Sequence, residues 1–275
     1  MDRYCVMGHP IEHSRSPWIH ARFAALTGQH LQYDKRLVPL EGFTQAIAAF
    51  RAEGGLGCNI TVPFKFEAAQ LAQHASPRAL LAEACNFLHF RADGIHADNT
   101  DGAGLVNDIQ HNAGLALAGQ DVLLIGAGGA SAGVLGPLTE ARVRRITVAN
   151  RTLGKAQALV QRHAALAQQH GVQLDCAELA AVQTPYGVVI NATASSLNGA
   201  GIPVAPSVLQ RGALALDMMY GPAAAGFMDW ARAHHATPRD GLGMLVEQAA
   251  EAFVLWRGVR PPSAQVLAEL RATLG

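Results

Sequence analysis

Between Asp121 and Lys155 the order of residues leaves room for few folds. Asp121-Val-Leu-Leu-Ile125 is a short apolar run, and Gly126-Ala-Gly-Gly-Ala-Ser131 follows it without a gap. A helix-compatible segment leads to a second apolar run, Ile146-Thr-Val-Ala149, which ends in Asn150-Arg151-Thr152. Strand, glycine turn, helix and strand, in that order, make a dinucleotide-binding unit. The glycines let the backbone turn tightly and approach a pyrophosphate, whose charge sits against the amides of the following helix. Gly126, Ala127, Gly128, Gly129 and Ala130 are therefore expected to contact the cofactor. Ser131 stands where Gly or Ala is usual, a small departure. An NAD site carries Asp or Glu at the end of the second strand for the ribose 2′-hydroxyl. Here Asn150 stands there, with Arg151, Thr152 and Lys155 behind it. A carboxylate would repel a 2′-phosphate, whereas a guanidinium can bind one through two parallel hydrogen bonds. The expected cofactor is NADP. Arg142, Arg144 and Arg145 read as a solvated basic face.

The chain has 275 residues and a formal net charge of zero. That length suits two modest domains or one large α/β unit. A neutral balance offers no field for steering nucleic acid or an anionic membrane, and neither partner is expected. Cys5, Cys58, Cys85 and Cys176 lie far apart with no C-x-x-C pair, so small buried thiols are expected and not a disulfide framework. The first residues are charged, with no apolar signal core, and no window reaches the length of a membrane span. A soluble, cytoplasmic protein is the expectation. No metal centre is expected: Pro10 between His9 and His13 argues against a helix presenting both, and His111 and His234-His235 read as solvated helix ends.

The first third alternates short strands and helices. Strands are expected at Tyr4–Met7, Leu31–Val38 and Gly57–Thr61, and helices at Ser16–Leu26, Phe43–Phe50 and Lys65–Gln73. Such order implies a mostly parallel sheet with right-handed crossovers. A helix from about Gly102 to His111 would bridge to a second domain. There, a long helix over Leu153–His170 and strands at Val172–Cys176, Val188–Ala192 and Leu214–Met218 continue the alternation. Helices over Met228–Ala233, Leu245–Trp256 and Ala264–Leu274 close the chain.

Three polar clusters fall at strand ends of the first domain, where open α/β sheets bind their ligands. In His13-Ser14-Arg15-Ser16-Pro17 one serine suffices to cap the next helix, which frees the other hydroxyl. In Asn59-Ile-Thr61-Val-Pro63-Phe-Lys65, Asn59 and Thr61 share one face of a strand. Lys65 opens a helix, where the macrodipole disfavours a cation by roughly 0.3–1 kcal/mol, a setting that suits a lysine exchanging a proton. The third cluster is Asn99-Thr100-Asp101-Gly102, with Asn86 upstream. Asp101 could merely cap the bridging helix. Beside Lys65 it could instead hold the ammonium or share its proton.

Six segments together resemble the shikimate dehydrogenase family. They are Met7-Gly-His-Pro-Ile-Glu-His-Ser-Arg-Ser-Pro17, Asn59-Ile-Thr-Val-Pro-Phe-Lys65, Asn99-Thr-Asp-Gly102, Gly126-Ala-Gly-Gly-Ala-Ser131, Asn150-Arg-Thr152 and Asp240-Gly-Leu-Gly-Met-Leu-Val-Glu-Gln248. They occur in that family's order and span nearly the whole chain. The resemblance implies reversible reduction of 3-dehydroshikimate to shikimate by NADPH, in the route to aromatic amino acids. It implies that Ser14 and Ser16 bind the substrate carboxylate, and that Thr61, Asn86, Asp101, Tyr220 and Gln248 contact its hydroxyls. It assigns proton transfer to Lys65 with Asp101 beside it, and adds Met218 and Gly241 to the cofactor contacts. The implied fold has two α/β domains: a substrate domain over 1–101 plus 243–275, and a Rossmann-type NADP domain over 102–242. The C-terminal helices return to the first domain. A monomer or homodimer is expected.

Three positions depart from the family's pattern: Phe87 where Thr is frequent, Phe66 where Glu is common, and Ala132 where many members carry arginine. None removes a catalytic group. Rival readings are a quinate or aminoshikimate dehydrogenase of the same superfamily, and a nucleotide-sensing protein that has lost catalysis. The second would be expected to lack Lys65 or Asp101. A folate-linked dehydrogenase would need an aromatic pterin platform, which the chain lacks. Hydride transfer needs the reacting carbons within about 3.5 Å, so closure of the two domains is expected, with Gly102 and Gly241-Leu-Gly243 absorbing the rotation.

Overall fold

The computed structural model describes residues 1–193 and 202–274. In chain order the elements are β1 (Asp2–Gly8), α1 (Ser16–Thr27), β2 (Leu31–Leu37), α2 (Phe43–Ala52), β3 (Gly55–Ile60) and α3 (Lys65–Leu71). Then come β4 (His74–Ala75), α4 (Pro77–Ala82), β5 (Phe87–Arg91), β6 (Gly94–Asp98) and α5 (Asp101–Asn107). The second half holds β7 (Asp121–Ile125), α6 (Gly129–Glu140), β8 (Arg145–Asn150), α7 (Leu153–His170), β9 (Gln173–Glu178) and β10 (Tyr186–Asn191). It continues with β11 (Leu209–Asp217), α8 (Ala225–Ala233), β12 (Thr237–Arg239), α9 (Leu242–Arg257) and α10 (Ser263–Leu274). Two compact units result: Met1–Leu105 with Leu245–Gly275, and Val106–Met244. Among the described residues no helix is long and apolar enough to cross a membrane.

The first unit carries a six-stranded sheet in the order β2-β1-β3-β5-β6-β4. β1 pairs parallel with β2 and β3, as does β4 with β6, whereas β5 runs antiparallel to both β3 and β6. The antiparallel strand comes from a hairpin at residues 87–98 that lies outside the expected elements. One face of the sheet is covered by α2 and α3. Phe43 and Phe64 stack there at 4.9 Å, over Met7, Ile60 and Leu88. The other face carries Tyr4, Tyr33 and Phe87 under Trp256 of α9, whose indole N–H donates to Leu88 O at 3.2 Å. Arg22 of α1 and Glu269 of α10 join through two hydrogen bonds of 2.5 and 2.9 Å. The C-terminal helices therefore pack within this unit, as expected.

The second unit is a wholly parallel sheet in the order β12-β11-β10-β7-β8-β9. Read from β9, this is the doubly wound order in which the chain reverses direction between β7 and β10, where such sheets take their ligands. Its central strands read Val-Leu-Leu-Ile and Val-Val-Ile because both faces are covered. The helix over Leu153–His170 has the expected limits, ended by Gly171 in the left-handed conformation (φ 68°). The expected bridging helix differs. It is α-helical only over Asp101–Asn107 and continues as a π-turn over Asp108–Asn112. There Asp108, fully buried, receives a two-pronged hydrogen bond from Arg239, at 2.6 and 2.5 Å. The basic face is also not uniform. Arg144 is solvated, although it pairs with Asp121, but Arg145 is half-buried and lies 5.2 Å over the Tyr186 ring.

Candidate active site

Lys65 is the first residue of α3, and Asp101 is the first of α5. Their side chains meet: Lys65 Nζ donates to Asp101 Oδ2 at 2.5 Å, with side-chain exposures of 15% and 7%. Asp101 does not cap its helix. The capping contact comes from Asn99, whose Oδ1 accepts from the Asp101 N–H at 3.1 Å while its amide donates to Ala84 O at 2.9 Å. Both carboxylate oxygens of Asp101 are thus free of structural duty to the helix. Lys65 has no second acceptor among the described residues, which leaves two ammonium protons for a ligand.

Asn86 is the hub behind this pair. Its amide faces three acceptors, Thr100 Oγ1 at 2.9 Å, Asp101 Oδ1 at 2.9 Å and Gln248 Oε1 at 3.1 Å. Its Oδ1 accepts the Thr100 N–H at 2.8 Å. Two amide protons cannot serve three acceptors at once, and the Thr100 hydroxyl is a further donor within this network, 3.2 Å from Asn86 Oδ1 and 3.4 Å from Gln248 Oε1. Gln248 is fixed by its own amide, which donates to Leu245 O at 2.9 Å. The residues come from the start of β5, the start of α5 and the middle of α9, and all belong to the first unit.

The serines and Thr61 take up distinct positions. Neither serine is a full helix cap: the N-cap of α1 is Arg15, and Ser14 Oγ accepts the Ser16 N–H only at 3.3 Å. Thr61 follows β3, its N–H donating to Met7 O at 2.9 Å. A Cβ built on Gly8 would lie 2.3 Å from the Thr61 methyl, so glycine is what lets the β1 end and Thr61 approach. The Thr61 hydroxyl has no partner among the described residues. Asn59, by contrast, is consumed structurally, accepting from Tyr33 Oη at 2.7 Å and donating to Asn86 O at 3.1 Å.

Electrostatics hold this region in place. Burial works against the Asp98 charge, and the Arg78 guanidinium outweighs it through bonds of 2.6 and 2.8 Å, holding the carboxyl below its ordinary range. Burial pushes the Cys85 thiol up to about 12, so it stays protonated near Lys65 and supplies no nucleophile. Of the departures noted, Phe87 is core, 4.8 Å from Trp256, while Phe66 is exposed. Ala132 is buried in α6.

In the second unit the glycine turn leaves β7 at Gly126, whose φ of 111° no side-chain-bearing residue adopts readily. Among the described residues nothing lies within 4 Å of a Cβ built on Gly128, the N-cap of α6. Gly128 offers no side-chain cap, and among the described residues no side chain accepts from the leading N–H groups of that helix. Ala127 and Ala130 complete the turn. Open space above uncapped amides fits a pyrophosphate. Asn150 ends β8 with its amide on Thr152 O at 2.9 Å, and Arg151 is exposed beside it. Lys155 is also exposed, in the first turn of α7, and neither cation pairs with another described residue. This donor set fits a 2′-phosphate.

Met218 and Gly241 are neighbours. A Cβ on Gly241 would fall 2.2 Å from Met218 O, and Gly241 N donates to Met219 O at 2.8 Å. Tyr220 precedes a short 3₁₀ turn at Gly221–Ala224. Beneath the glycine turn lies a buried network outside the expected site. Asn191 donates to Asp217 Oδ2 at 3.0 Å, Thr193 Oγ1 donates to Asn191 Oδ1 at 2.7 Å, and Asp217 Oδ1 accepts from Met219 N at 2.8 Å. Its signal was local: Asn191 and Asp217 are polar residues terminating the apolar strands β10 and β11.

Comparison with known proteins gives the chain its family. Residues 6–88 match the family model of the shikimate dehydrogenase substrate binding domain, residues 108–199 that of shikimate / quinate 5-dehydrogenase, and residues 241–271 that of the shikimate 5'-dehydrogenase C-terminal domain. A shikimate dehydrogenase (NADP(+)) of Paracidovorax citrulli is 68% identical over 274 residues, covering 99% of this chain and 98% of the relative. Among solved structures, an Ael1 enzyme from Pseudomonas putida is 42% identical with a TM-score of 0.90, covering 98% of each chain. Shikimate 5-dehydrogenase from Thermus thermophilus, solved with NADP(H) and shikimate, is 30% identical with a TM-score of 0.83 over 100% of both chains. The chain belongs to the shikimate dehydrogenase family.

Proposed function

We propose that this chain catalyses the reversible NADPH-dependent reduction of 3-dehydroshikimate to shikimate, serving the synthesis of aromatic amino acids. The observation that carries the mechanism is the Lys65–Asp101 pair, sheltered and backed by Asn86, Thr100 and Gln248. NADPH, when bound, supplies the hydride. Lys65 then delivers a proton to the oxygen of the reduced C3 carbonyl, so that hydride and proton together make the alcohol; in the reverse direction it receives that proton. Asp101 holds the ammonium in place, and Asn86 fixes Asp101.

Ser14 and Ser16 are proposed to receive the substrate carboxylate as hydroxyl donors. Thr61, Asn86, Asp101 and Gln248 are proposed to take its ring hydroxyls, with Tyr220 as a further hydroxyl contact. Gly126, Ala127, Gly128, Gly129 and Ala130 would hold the pyrophosphate. Asn150, Arg151, Thr152 and Lys155 would hold the 2′-phosphate end, and Met218 and Gly241 would complete the cofactor contacts. In this reading residues 1–101 with 243–275 form the substrate domain and 102–242 the NADP domain. The enzyme works in the cytoplasm as a monomer or homodimer, without nucleic acid.

Initial rates with shikimate and quinate, each with NADP and NAD, test the reading. Shikimate with NADP should give the highest kcat/KM, and a preference for quinate or for NAD would overturn it.

A further inference from the structure

A row of histidines crosses the open edge of the first sheet. Residues paired directly across neighbouring strands project from the same face. His74 on β4 pairs with His96 on β6, and His96 pairs with His89 on β5. The His74 and His96 rings stack with centroids 4.5 Å apart and planes at 29°. Asp93, in the turn between β5 and β6, reaches both rings. Its Oδ1 lies 2.9 Å from His96 Nε2 and its Oδ2 lies 3.7 Å from His74 Nε2. One ligand atom from each of the three residues falls within 4.8 Å of the others. We propose that His74, Asp93 and His96 form a binding site for a borderline divalent transition-metal cation of the Zn²⁺ type.

The geometry is close to what such an ion needs. Bonds of about 2.0–2.1 Å in a tetrahedral site put neighbouring ligand atoms about 3.4 Å apart, so small ring rotations bring all three onto one centre. The backbone beneath is already fixed. Gln73 N donates to Ile95 O at 3.0 Å, Ile95 N to Gln73 Oε1 at 2.8 Å, and Ser76 N to Ala97 O at 3.0 Å. Ligands carried on paired strands keep their spacing better than ligands on a loop.

Two imidazoles and one carboxylate suit zinc, nickel or copper, and they are a poor set for Mg²⁺ or Ca²⁺, which prefer oxygen. A solvent-facing cavity of about 290 Å³, lined by His74, His89 and His96, leaves room for water to complete the coordination. His89 does not join as a ligand. Its Nδ1 faces Arg91 Nε at 3.4 Å, and the guanidinium repels a cation on that side. None of the three ligands belongs to the Asp101 cluster, so the site is a clip and not part of the chemistry. It would tie the two-residue edge strand β4 to the β5–β6 turn.

The test uses the intact, tag-free chain, stripped with a chelator and titrated calorimetrically at neutral pH with Zn²⁺, Mg²⁺ and Ca²⁺. One Zn²⁺ should bind per chain, and Mg²⁺ and Ca²⁺ should bind far more weakly. Loss of outer-shell partners alone weakens metal sites about 10–100-fold, so His74→Ala/His96→Ala should weaken Zn²⁺ by more than about 100-fold, and His234→Ala/His235→Ala should leave it unchanged. Zn²⁺ affinity equal in intact chain and His74→Ala/His96→Ala, or equal affinity for Mg²⁺, would overturn the site. At one equivalent of Zn²⁺ the ring signals of His74 and His96 should shift in the proton spectrum of the intact chain. Unmoved signals would also overturn it.

Discussion

Replacing Lys65 with alanine separates chemistry from folding in a way the geometry lets us quantify. The change removes the ammonium that bonds Asp101 Oδ2 and leaves a 7%-exposed carboxylate whose remaining donor among the described residues is Asn86. Loss of a general acid–base group lowers kcat by about 10²–10⁴-fold, which is roughly 2.7–5.4 kcal/mol of barrier at about 1.36 kcal/mol per decade. Loss of a charge-assisted hydrogen bond at a partly buried site destabilises the fold by about 1–3 kcal/mol. Against a typical stability of about 5–15 kcal/mol, at least about 2 kcal/mol remains, enough to keep roughly 97% of molecules folded. Unfolding therefore cannot account for a hundredfold loss. The assay is shikimate oxidation followed by the absorbance of NADPH, with circular dichroism to count folded protein and a separate titration of NADP. We expect kcat to collapse while NADP affinity stays within a factor of about two, because no cofactor contact is touched. A rate loss below about tenfold, or one that tracks the folded fraction, would show that Lys65 is structural and that the proton comes from elsewhere.

Arg151→Ala should raise KM for NADP by roughly 10–150-fold, the worth of a charge-assisted contact to phosphate, and change KM for NAD little. Equal effects on both would remove Arg151 from 2′-phosphate recognition. His20 is fully buried, stacked 4.1 Å from the Tyr33 ring, and burial lowers its pKa to about 3. Its folded value lies below its unfolded one, so the stability it supports is present above the ordinary imidazole range and is lost as pH falls from about 6.5 towards 3, by up to about 1.4 kcal/mol per pH unit. Urea midpoints across that window should fall less steeply in His20→Phe than in the parent, and parallel slopes would contradict the assignment. Arg239→Ala should destabilise the second unit by about 3–5 kcal/mol, since it strands the fully buried Asp108. A change in melting temperature within error would mean that the pair contributes nothing.

The site was legible where its chemistry is carried by residue type at strand ends. Gly126–Ser131 and Asn150–Thr152 announce themselves because a phosphate needs bare backbone and a cation, and Lys65 and Asp101 because a lysine at a helix start is electrostatically odd. The hairpin of β5 and β6 was harder, although Asp93-Gly94 between Phe-Leu-His-Phe and Ile-His-Ala is itself a hairpin signal. β4 has two residues and no periodicity to read. The π-turn at Asp108 answers to Arg239, 131 residues away, and local spacing cannot report such a partner. Asn86 illustrates the same limit. Its residue type is visible, but its competition among three acceptors follows only from how β5, α5 and α9 converge.

That convergence bears on how the molecule is made. Gln248 and Trp256 follow the whole second unit in the chain, so the first unit cannot finish folding until α9 has been made. Domains generally fold as units during synthesis, yet here the intervening unit can complete itself while Tyr4, Tyr33 and Phe87 still wait for Trp256 and Ala252 to cover them. A nascent chain halted before Leu245 would carry a finished second unit and an aromatic sheet face that has α1 beside it but lacks its cover from α9. Such an intermediate is a natural client for a chaperone that recognises exposed apolar surface, and the synthesis of α9 is what removes it from that pool.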